Sequence, residues 1–571
     1  MQTYEAIVKG LEDIGVEAAF GGAGGANAGL MLALEHSRKI RPVITRNEQA
    51  ASFMACGYAM FTDRLGVCFA TSGPGAFNLI SGLSVALTDS YPVLAITGSS
   101  WLKWRGKGAL NETSGLGRTP NSGPIFSAIT KKSFELMRVE DTCDMLEEAV
   151  NIALQGRPGP VHIAVPKDLT EPDISVDNYH DIRLEVDPVR PDPAVVKQVA
   201  DVLADAIRNN KQILVLAGYG AIRSQVGPEL ERFAERFQIP VATTMDGKGI
   251  IPEDHGLAVG VLGESGHVSS CKVFRETDIV LAIGTSFAEH STFQFKPDLY
   301  DDKQLIQINI DDGEIDKVYK SEYFIVADAR LAIAALEEEM SSSVGPVAMR
   351  DYETQDYDTE RILDLGRKLH PGELVRTLSR MLPDNAIVLA DAGTHTVWLN
   401  QYLELRRGQH FRKPGTFGPM AVGVNAALGV KCTYPERTVI VGCGDGSYLM
   451  SGFELMTAVE YDIPVIWIIF NNGEFNLIRL EQFQTYHESA LVDFKNPDYA
   501  AYAKACGAEG YRVETIEEFE TAFQAALASG KPTLIDAAIT RFALPRYIPS
   551  PDGFLEATWE VMRRLFGLSS L

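Results

Sequence analysis

Residues 437–472 contain two short apolar runs, and each ends on polar residues. Arg437-Thr-Val-Ile-Val-Gly-Cys443 leads into Gly444-Asp445-Gly446, and Ile463-Pro-Val-Ile-Trp-Ile-Ile-Phe470 leads into Asn471-Asn472. Short runs rich in β-branched residues and bounded by turn formers suit strands of a parallel sheet covered on both faces. Phe453-Glu-Leu-Met-Thr-Ala-Val-Glu460 has helical spacing, so the segment predicts a right-handed strand, helix, strand crossover. Asp445 and Asn472 then stand at the carboxyl ends of adjacent strands, where open α/β sheets bind ligands. A hard cation that keeps phosphate oxygens in its shell takes one or two oxygen side chains plus a backbone carbonyl. Gly444 and Gly446 let the backbone approach a diphosphate, although a Gly-Asp-Gly triplet alone also suits a plain strand-ending turn.

The same alternation runs through the chain. An amphipathic first helix precedes apolar runs at Ala18–Phe20, Val43–Ile44, Gly66–Ala70, Val93–Ile96 and Val161–Val165. A Pro-rich stretch, Asp187-Pro-Val-Arg-Pro-Asp-Pro193, reads as a linker, Gln212–Ala217 opens a second unit, and Ala386–Ala390 opens a third after the break at Ser341–Pro346. The expected fold is α/β, three doubly wound parallel-sheet domains at 1–182, 192–340 and 365–548, with a tail at 549–571. Similar units at the two ends suggest an old duplication of architecture.

With 571 residues, 46% hydrophobic and 22% charged, the composition is that of a globular protein. The formal net charge of -24 argues against nucleic acid or an anionic membrane as partner, since either selects a basic surface. Seven scattered cysteines without Cys-x-x-Cys spacing read as buried thiols, and no apolar run approaches a membrane span. A cytoplasmic location is the simplest expectation.

The segment from Gly444-Asp445-Gly446 to Asn471-Asn472 resembles the diphosphate motif of thiamine-diphosphate enzymes, and the resemblance covers almost the whole chain. It implies pyrimidine-binding, middle and diphosphate-binding domains, with thiamine diphosphate and Mg2+ as cofactors. Asp445, Asn472 and the backbone carbonyl of Glu474 would hold the metal, with Gly444, Gly446 and Ser447 beside the diphosphate. The loop Asp391-Ala-Gly393-Thr394-His395 would surround it too, while His395 alone reads equally as a structural histidine. Met420, in Gly415-Thr-Phe-Gly-Pro-Met420, matches the residue that wedges between the cofactor rings.

Glu48, after Pro42-Val-Ile44 and before a small-residue helix, otherwise reads as a first-turn acid favoured by the helix dipole. The resemblance makes it the catalytic carboxylate that hydrogen-bonds the aminopyrimidine ring, with Asn47 where many relatives have histidine. It puts Ser72 and Gly73 of Thr71-Ser-Gly-Pro-Gly75 beside the pyrimidine and Gly24 in the substrate pocket. In the family the cofactor lies between the first domain of one chain and the last of another, so a homodimer or homotetramer is expected.

Arg64–Gly75 and Val93–Gly98 are similar to acetolactate synthases and pyruvate oxidases, which act on pyruvate and related 2-oxo acids. Ala109-Leu110-Asn111-Glu112 departs from the acetolactate synthase segment Ala-Phe-Gln-Glu at Leu110 and Asn111 and is followed by extra residues, whereas Lys131 matches that branch. Leu477, Ile478 and Glu481 look instead like the oxidase pattern, with Glu481 a second catalytic candidate. The expected reaction is decarboxylation of a short 2-oxo acid with transfer of the carbanion/enamine to an acceptor. Alternatives are a flavin-linked pyruvate oxidase, a simple decarboxylase, and an aldehyde or 2-hydroxyacyl-CoA lyase. FAD is left open by Leu216-Ala-Gly-Tyr-Gly-Ala221, and a non-catalytic regulatory protein keeping the fold is the reading from another class.

Overall fold

The computed structural model describes residues 1–171, 175–355, 357 and 369–551. The expected start of the last domain at 365 and all but the first residues of the 549–571 tail lie outside the described residues. Three six-stranded sheets follow one another along the chain, and every ladder in them is parallel.

The first sheet contains β1 (Ala18–Gly21), β2 (Arg41–Ile44), β3 (Gly66–Ala70), β4 (Val93–Ser99), β5 (Lys132–Glu135) and β6 (Val161–Pro166), in the order β2-β1-β3-β4-β6-β5. The middle sheet contains β7 (Ile213–Ala217), β8 (Val241–Thr243), β9 (Ala258–Val261), β10 (Ile279–Ile283), β11 (Gln304–Asn309) and β12 (Tyr323–Val326). Its order, β9-β8-β7-β10-β11-β12, is that of a dinucleotide-binding fold, with its reversal between β7 and β10. The last sheet contains β13 (Ile387–Ala390), β14 (His410–Arg412), β15 (Val439–Gly444), β16 (Ile466–Asn471), β17 (Glu509–Val513) and β18 (Thr533–Ala538). Its order, β14-β13-β15-β16-β18-β17, repeats that of the first sheet strand for strand. The likeness of the two end units is therefore one of topology.

Two local expectations change. Gly444-Asp445-Gly446 is not a free turn: β15 runs through Gly444 and a helix starts at once, Asp445–Ser451. An acid in the first turn is favoured by the helix dipole. The single helix expected at Phe453–Glu460 begins as a 3-10 turn, Gly452–Glu454, and becomes α-helical over Leu455–Glu460. Strand β5 carries no apolar run, because an edge strand pairs on one side only and tolerates Lys132 and Glu135.

The first and last domains are fused through one core that draws on both. Its centre is the crossing of helices Glu48–Ala59 and Val422–Thr433, where backbone meets backbone. A Cβ on Gly57 would lie 1.9 Å from the Ala426 carbonyl oxygen, and one on Gly429 would lie 1.8 Å from that of Met54. The glycines are what let the two helices approach. Gly429→Ala is expected to cost about 3 kcal/mol, the upper range for overpacking, because the obstacle is a backbone carbonyl. Urea unfolding checks this, and a wild-type midpoint would contradict the tight crossing.

A second joint lies where all three domains meet. The Arg412 guanidinium at the end of β14 donates to Tyr91 at 2.9 Å, to Asp89 at 3.1 Å and to Asp246 at 2.5 Å. It also lies 3.6 Å from the Tyr219 ring centroid. Burial pushes the Asp89 carboxyl up, whereas for Asp246 the pull of Lys413 and Arg412 outweighs burial and holds its carboxyl low.

Candidate active site

In a doubly wound sheet the crevice for a ligand opens where the strand order reverses. In the last sheet that point lies between β13 and β15, whose carboxyl ends carry Asp391 and Asp445. Asp445 is almost fully buried. Its Oδ2 accepts from the Asn472 N–H at 3.2 Å, the Gly473 N–H at 2.7 Å and Asn496 Nδ2 at 2.7 Å, and its Oδ1 from the Gly446 N–H at 2.9 Å. These bonds tie the end of β15 to the loop after β16. Burial pushes the carboxyl up against the pull of those donors, and among the described residues no cationic side chain pairs with it. A buried carboxylate without a cation is costly to hold, and an oxygen-liganded ion is what removes the cost. The donor set thus fits Mg2+.

Asn472 Oδ1 accepts from the Glu474 N–H at 3.3 Å. The Glu474 carboxylate is occupied elsewhere, by Arg479 at 3.0 Å, Arg541 at 3.1 Å and Asn476 Nδ2 at 2.6 Å. Ser447 Oγ donates to the Ala392 carbonyl at 3.2 Å and so joins the two strand-end loops. Asp391 is fully buried and accepts from the Ala392 N–H at 2.6 Å and the Val424 N–H at 3.3 Å, which turns it toward the start of helix Val422–Thr433. Burial pushes its carboxyl up to about 7.

Gly393 and Thr394 begin the neighbouring helix, Thr394–Tyr402. A Cβ on Gly393, whose φ is +148°, would lie 2.7 Å from the His395 ring, and one on Gly444 would lie 3.2 Å from His395 Nδ1. His395 is buried, its imidazole lowered to about 4 by that burial, and its Nε2 has no partner. It is therefore a neutral ring with a free nitrogen at the crevice. Met420 is half-buried and precedes Ala421, whose φ of +72° is a left-handed conformation costly for a residue with a Cβ.

The first sheet reverses between β1 and β3, and Glu48 lies over that point. A Cβ on Gly22 would fall 2.6 Å from Glu48 Oε1 and one on Gly75 would fall 2.8 Å from it. Asn78 Nδ2 donates to Glu48 Oε2 at 2.9 Å. Asn47 caps the helix, its Oδ1 accepting from the Gln49 N–H at 2.8 Å, which accounts structurally for an asparagine before the glutamate. The turn carrying both is pinned from the last domain, because the Glu454 carboxylate accepts from the N–H groups of Arg46 and Asn47 at 2.9 and 3.0 Å.

Gly24 packs on Thr71, where an added Cβ would lie 2.3 Å from the Thr71 Cβ. Ser72 is buried, and Gly73, with φ +64°, abuts Asn111, so the loop of Leu110 and Asn111 touches the cofactor-side loop. Lys131 Nζ donates to the carbonyls of Gln155 and Arg157, both at 2.9 Å. Leu110 is 89% exposed. Leu477, Ile478 and Glu481 lie exposed on helix Asn476–Tyr486.

Among the described residues no hydrogen bond or ion pair joins the Glu48 group to the Asp445 group within one chain. Asn496, Tyr499 and Glu454 were not legible as site residues. Asn496 and Tyr499 bond each other at 3.0 Å and hold Asp445 from a loop and the start of the helix Tyr499–Ala505, neither with a motif of its own.

Residues 1–117 match the N-terminal TPP binding domain of thiamine pyrophosphate enzymes, 200–336 the central domain, and 391–537 the C-terminal TPP binding domain. The chain belongs to the thiamine pyrophosphate enzyme family; it is an enzyme whose cofactor is thiamine pyrophosphate, that is, thiamine diphosphate. Its relatives within that family are consistent in kind. It is similar to the probable acetolactate synthase large subunit of Methanocaldococcus jannaschii, 33% identical with 94% of this chain and 92% of the relative covered. The acetolactate synthase large subunit of Corynebacterium glutamicum is 32% identical, over 94% of this chain and 86% of its own length. Chloroplastic acetolactate synthase 2 of Nicotiana tabacum is 31% identical, over 97% and 85%.

Proposed function

We propose that this enzyme decarboxylates a short 2-oxo acid such as pyruvate and transfers the remaining acyl carbons to a second carbonyl, as an acetolactate synthase does. The observation that carries the reading is a catalytic carboxylate candidate on one sheet reversal, Glu48, and a cation-poor buried carboxylate on the matching reversal, Asp445. The named relatives point the same way.

Bound thiamine diphosphate supplies a carbon nucleophile and a sink for the electrons released as CO2 leaves. The chain's own part is to bind and orient. Asp445, Asn472 and the Glu474 carbonyl would hold Mg2+ against the diphosphate, with Gly444, Gly446, Ser447, Gly393, Thr394 and the neutral His395 around it. Glu48, kept in place by Asn78, would hold the pyrimidine, with Ser72 and Gly73 beside it and Met420 between the rings. Gly24, Leu110, Asn111, Lys131, Leu477, Ile478 and Glu481 would shape the space for the substrate.

The two halves are proposed to meet between two chains. Leu449, Met450, Leu477, Ile478, Tyr486 and Leu491 are large apolar side chains exposed on the last domain, and such residues gathered at a surface suit a partner. A mass at least twice the 62.4 kDa of the chain is expected in light scattering. The seven free thiols suit a reducing cytoplasm, and among the described residues no helix is long and apolar enough to cross a membrane.

A flavin-linked reaction is the second reading, favoured by a crevice of about 540 Å3 at the β7/β10 reversal, bordered by Tyr219, Gly220, Gly284 and Thr285. That volume falls in the range of small-molecule sites, and the buried Arg223 Nε beside it has no partner, as a phosphate site would use. Pyruvate supplied with thiamine diphosphate and Mg2+ is expected to give one acetolactate and one CO2 per two pyruvates. Removing the metal with EDTA should abolish turnover, and Mg2+ should restore it. Acetaldehyde as the product would replace carboligation by simple decarboxylation. Absence of flavin absorbance before and after soaking with FAD would remove the oxidase reading.

A further inference from the structure

The loop at residues 101–118 carries chemistry that the proposed reaction does not use. Trp101 and Trp104 stack face to face, their centroids 4.5 Å apart and their planes 7° from parallel. Lys103 Nζ lies 3.7 Å from the Trp101 centroid. Since Trp104 occupies one face of Trp101, the ammonium takes the other, giving a three-layer stack. Its outer member, Trp104, is 44% exposed.

The charge of the loop runs against that of the chain. Against a net charge of -24, residues 101–118 hold Lys103, Arg105, Lys107 and Arg118 and a single acid, Glu112. That acid is turned inward: its carboxylate accepts from the N–H groups of Gly106 (2.5 Å), Gly108 (3.1 Å) and Ala109 (3.0 Å) and from Ser114 Oγ (2.5 Å). The Ser114 bond first, then the backbone bonds, hold it below the usual carboxylate range. Asp168 fixes the base of the loop by accepting from the Leu102 N–H at 3.0 Å and the Lys103 N–H at 3.4 Å. Arg105 pairs with Glu135, yet its buried Nε has no partner. Among the described residues Lys103, Lys107 and Arg118 form no ion pair with a carboxylate.

The open face of Trp104 is on the same turn as two unpaired cations, since the Lys107 N–H bonds the Trp104 carbonyl at 3.1 Å and Gly117, next to Arg118, abuts Gly106, while Lys103 braces the far end of the stack. An indole face with such cations is complementary to a flat base joined to phosphates. The loop also ends at the site, since Asn111 packs against Gly73. We propose that residues 101–118 bind the adenosine diphosphate portion of a nucleotide-bearing ligand, with the base on Trp104 and the phosphates on Lys107 and Arg118. Coenzyme A thioesters and free ADP both carry this portion. A thioester would reach past Asn111 into the pocket, whereas free ADP would act from the lip. The location beside a reacting centre rests on the proposed function; the binding itself does not.

The test uses the full chain with thiamine diphosphate and Mg2+ and follows tryptophan fluorescence during titration with coenzyme A, ADP or pantetheine. Saturable quenching by coenzyme A or ADP is expected, and none by pantetheine, which lacks base and phosphates. Trp104→Ala, followed by titration calorimetry because it removes the reporting indole, should weaken binding about tenfold or more, as loss of a stacked base does. Lys107→Ala/Arg118→Ala should weaken it and flatten its salt dependence. Tighter binding of coenzyme A than of ADP identifies a thioester ligand, and equal binding identifies the free nucleotide. Binding retained by a chain that takes up no thiamine diphosphate would leave this inference standing and sink the proposed function. No saturable quenching at millimolar ligand, or equal binding by Trp104→Ala, overturns it.

Discussion

Replacing Glu48 by glutamine is expected to lower turnover by about 10^2- to 10^4-fold, the usual weight of a proton-transferring group, while thiamine diphosphate still binds. The substitution keeps the shape that fits against Gly22 and Gly75 and keeps an acceptor for Asn78 at 2.9 Å, so the loss reports charge and proton affinity rather than packing. Exchange of the cofactor's C2 proton, followed by NMR, is the direct readout. Exchange at the wild-type rate would show that the carboxylate on the first sheet's reversal does something else. Loss of cofactor binding together with exchange would make Glu48 a structural ligand. Asn78→Ala should show a smaller loss of the same kind, because the carboxylate then keeps its charge and loses only its orienting bond.

Arg412→Met is expected to destabilise the protein by about 3–5 kcal/mol, the cost of leaving buried charges without their partner. The carboxylates at risk come from two different domains: Asp89 beside the first sheet and Asp246 beside the middle one. With the guanidinium gone, burial would hold the Asp89 carboxyl further above its unfolded value, while Asp246 keeps Lys413 at 3.1 Å, so at Asp89 the folded chain would bind more protons than the unfolded one. Stability then falls as pH rises through the acid range, and the deficit of the variant is larger at pH 8 than at pH 5. Adding Asp89→Asn to Arg412→Met should recover much of the loss, because Asp246 keeps Lys413. A single variant as stable as wild type at both pH values would mean that the buried ion pairs and the contact with Tyr219 add nothing net to stability.

Local pattern carried a large part of the fold. Runs such as Gly66–Ala70 and Ile463–Phe470 are apolar because a parallel strand buries both faces, so their positions follow from the residues themselves. The polar residues that close such runs, Asp445, Asn472 and Glu48, were legible because a strand's end is local; only the sheet order put Asp445 and Glu48 at reversals. Where the pattern was silent or misleading, another requirement prevailed. Edge strand β5 needs no apolar run, and the helix dipole drew Asp445 into a first turn where Gly-Asp-Gly suggested only a loop.

The sequence by itself determined most of the strands, the cofactor class and the two carboxylates proposed to face the cofactor, because each depends on residues within a strand and its next turn. Only the tertiary structure decided what holds those carboxylates. Asn496 reaches Asp445 across 51 residues, Glu454 reaches Asn47 across 407, and Arg412 reaches Asp89 across 323. Each of these is a polar side chain that, read alone, belongs to a solvated surface. Its partner is set by how the sheets and helices pack, and that packing turns on backbone contacts such as Gly57 against Ala426. The stacked Trp101 and Trp104 belong to the same class of fact: two aromatic residues in a polar loop become an open platform only when Asp168 and Glu112 fix the backbone that carries them.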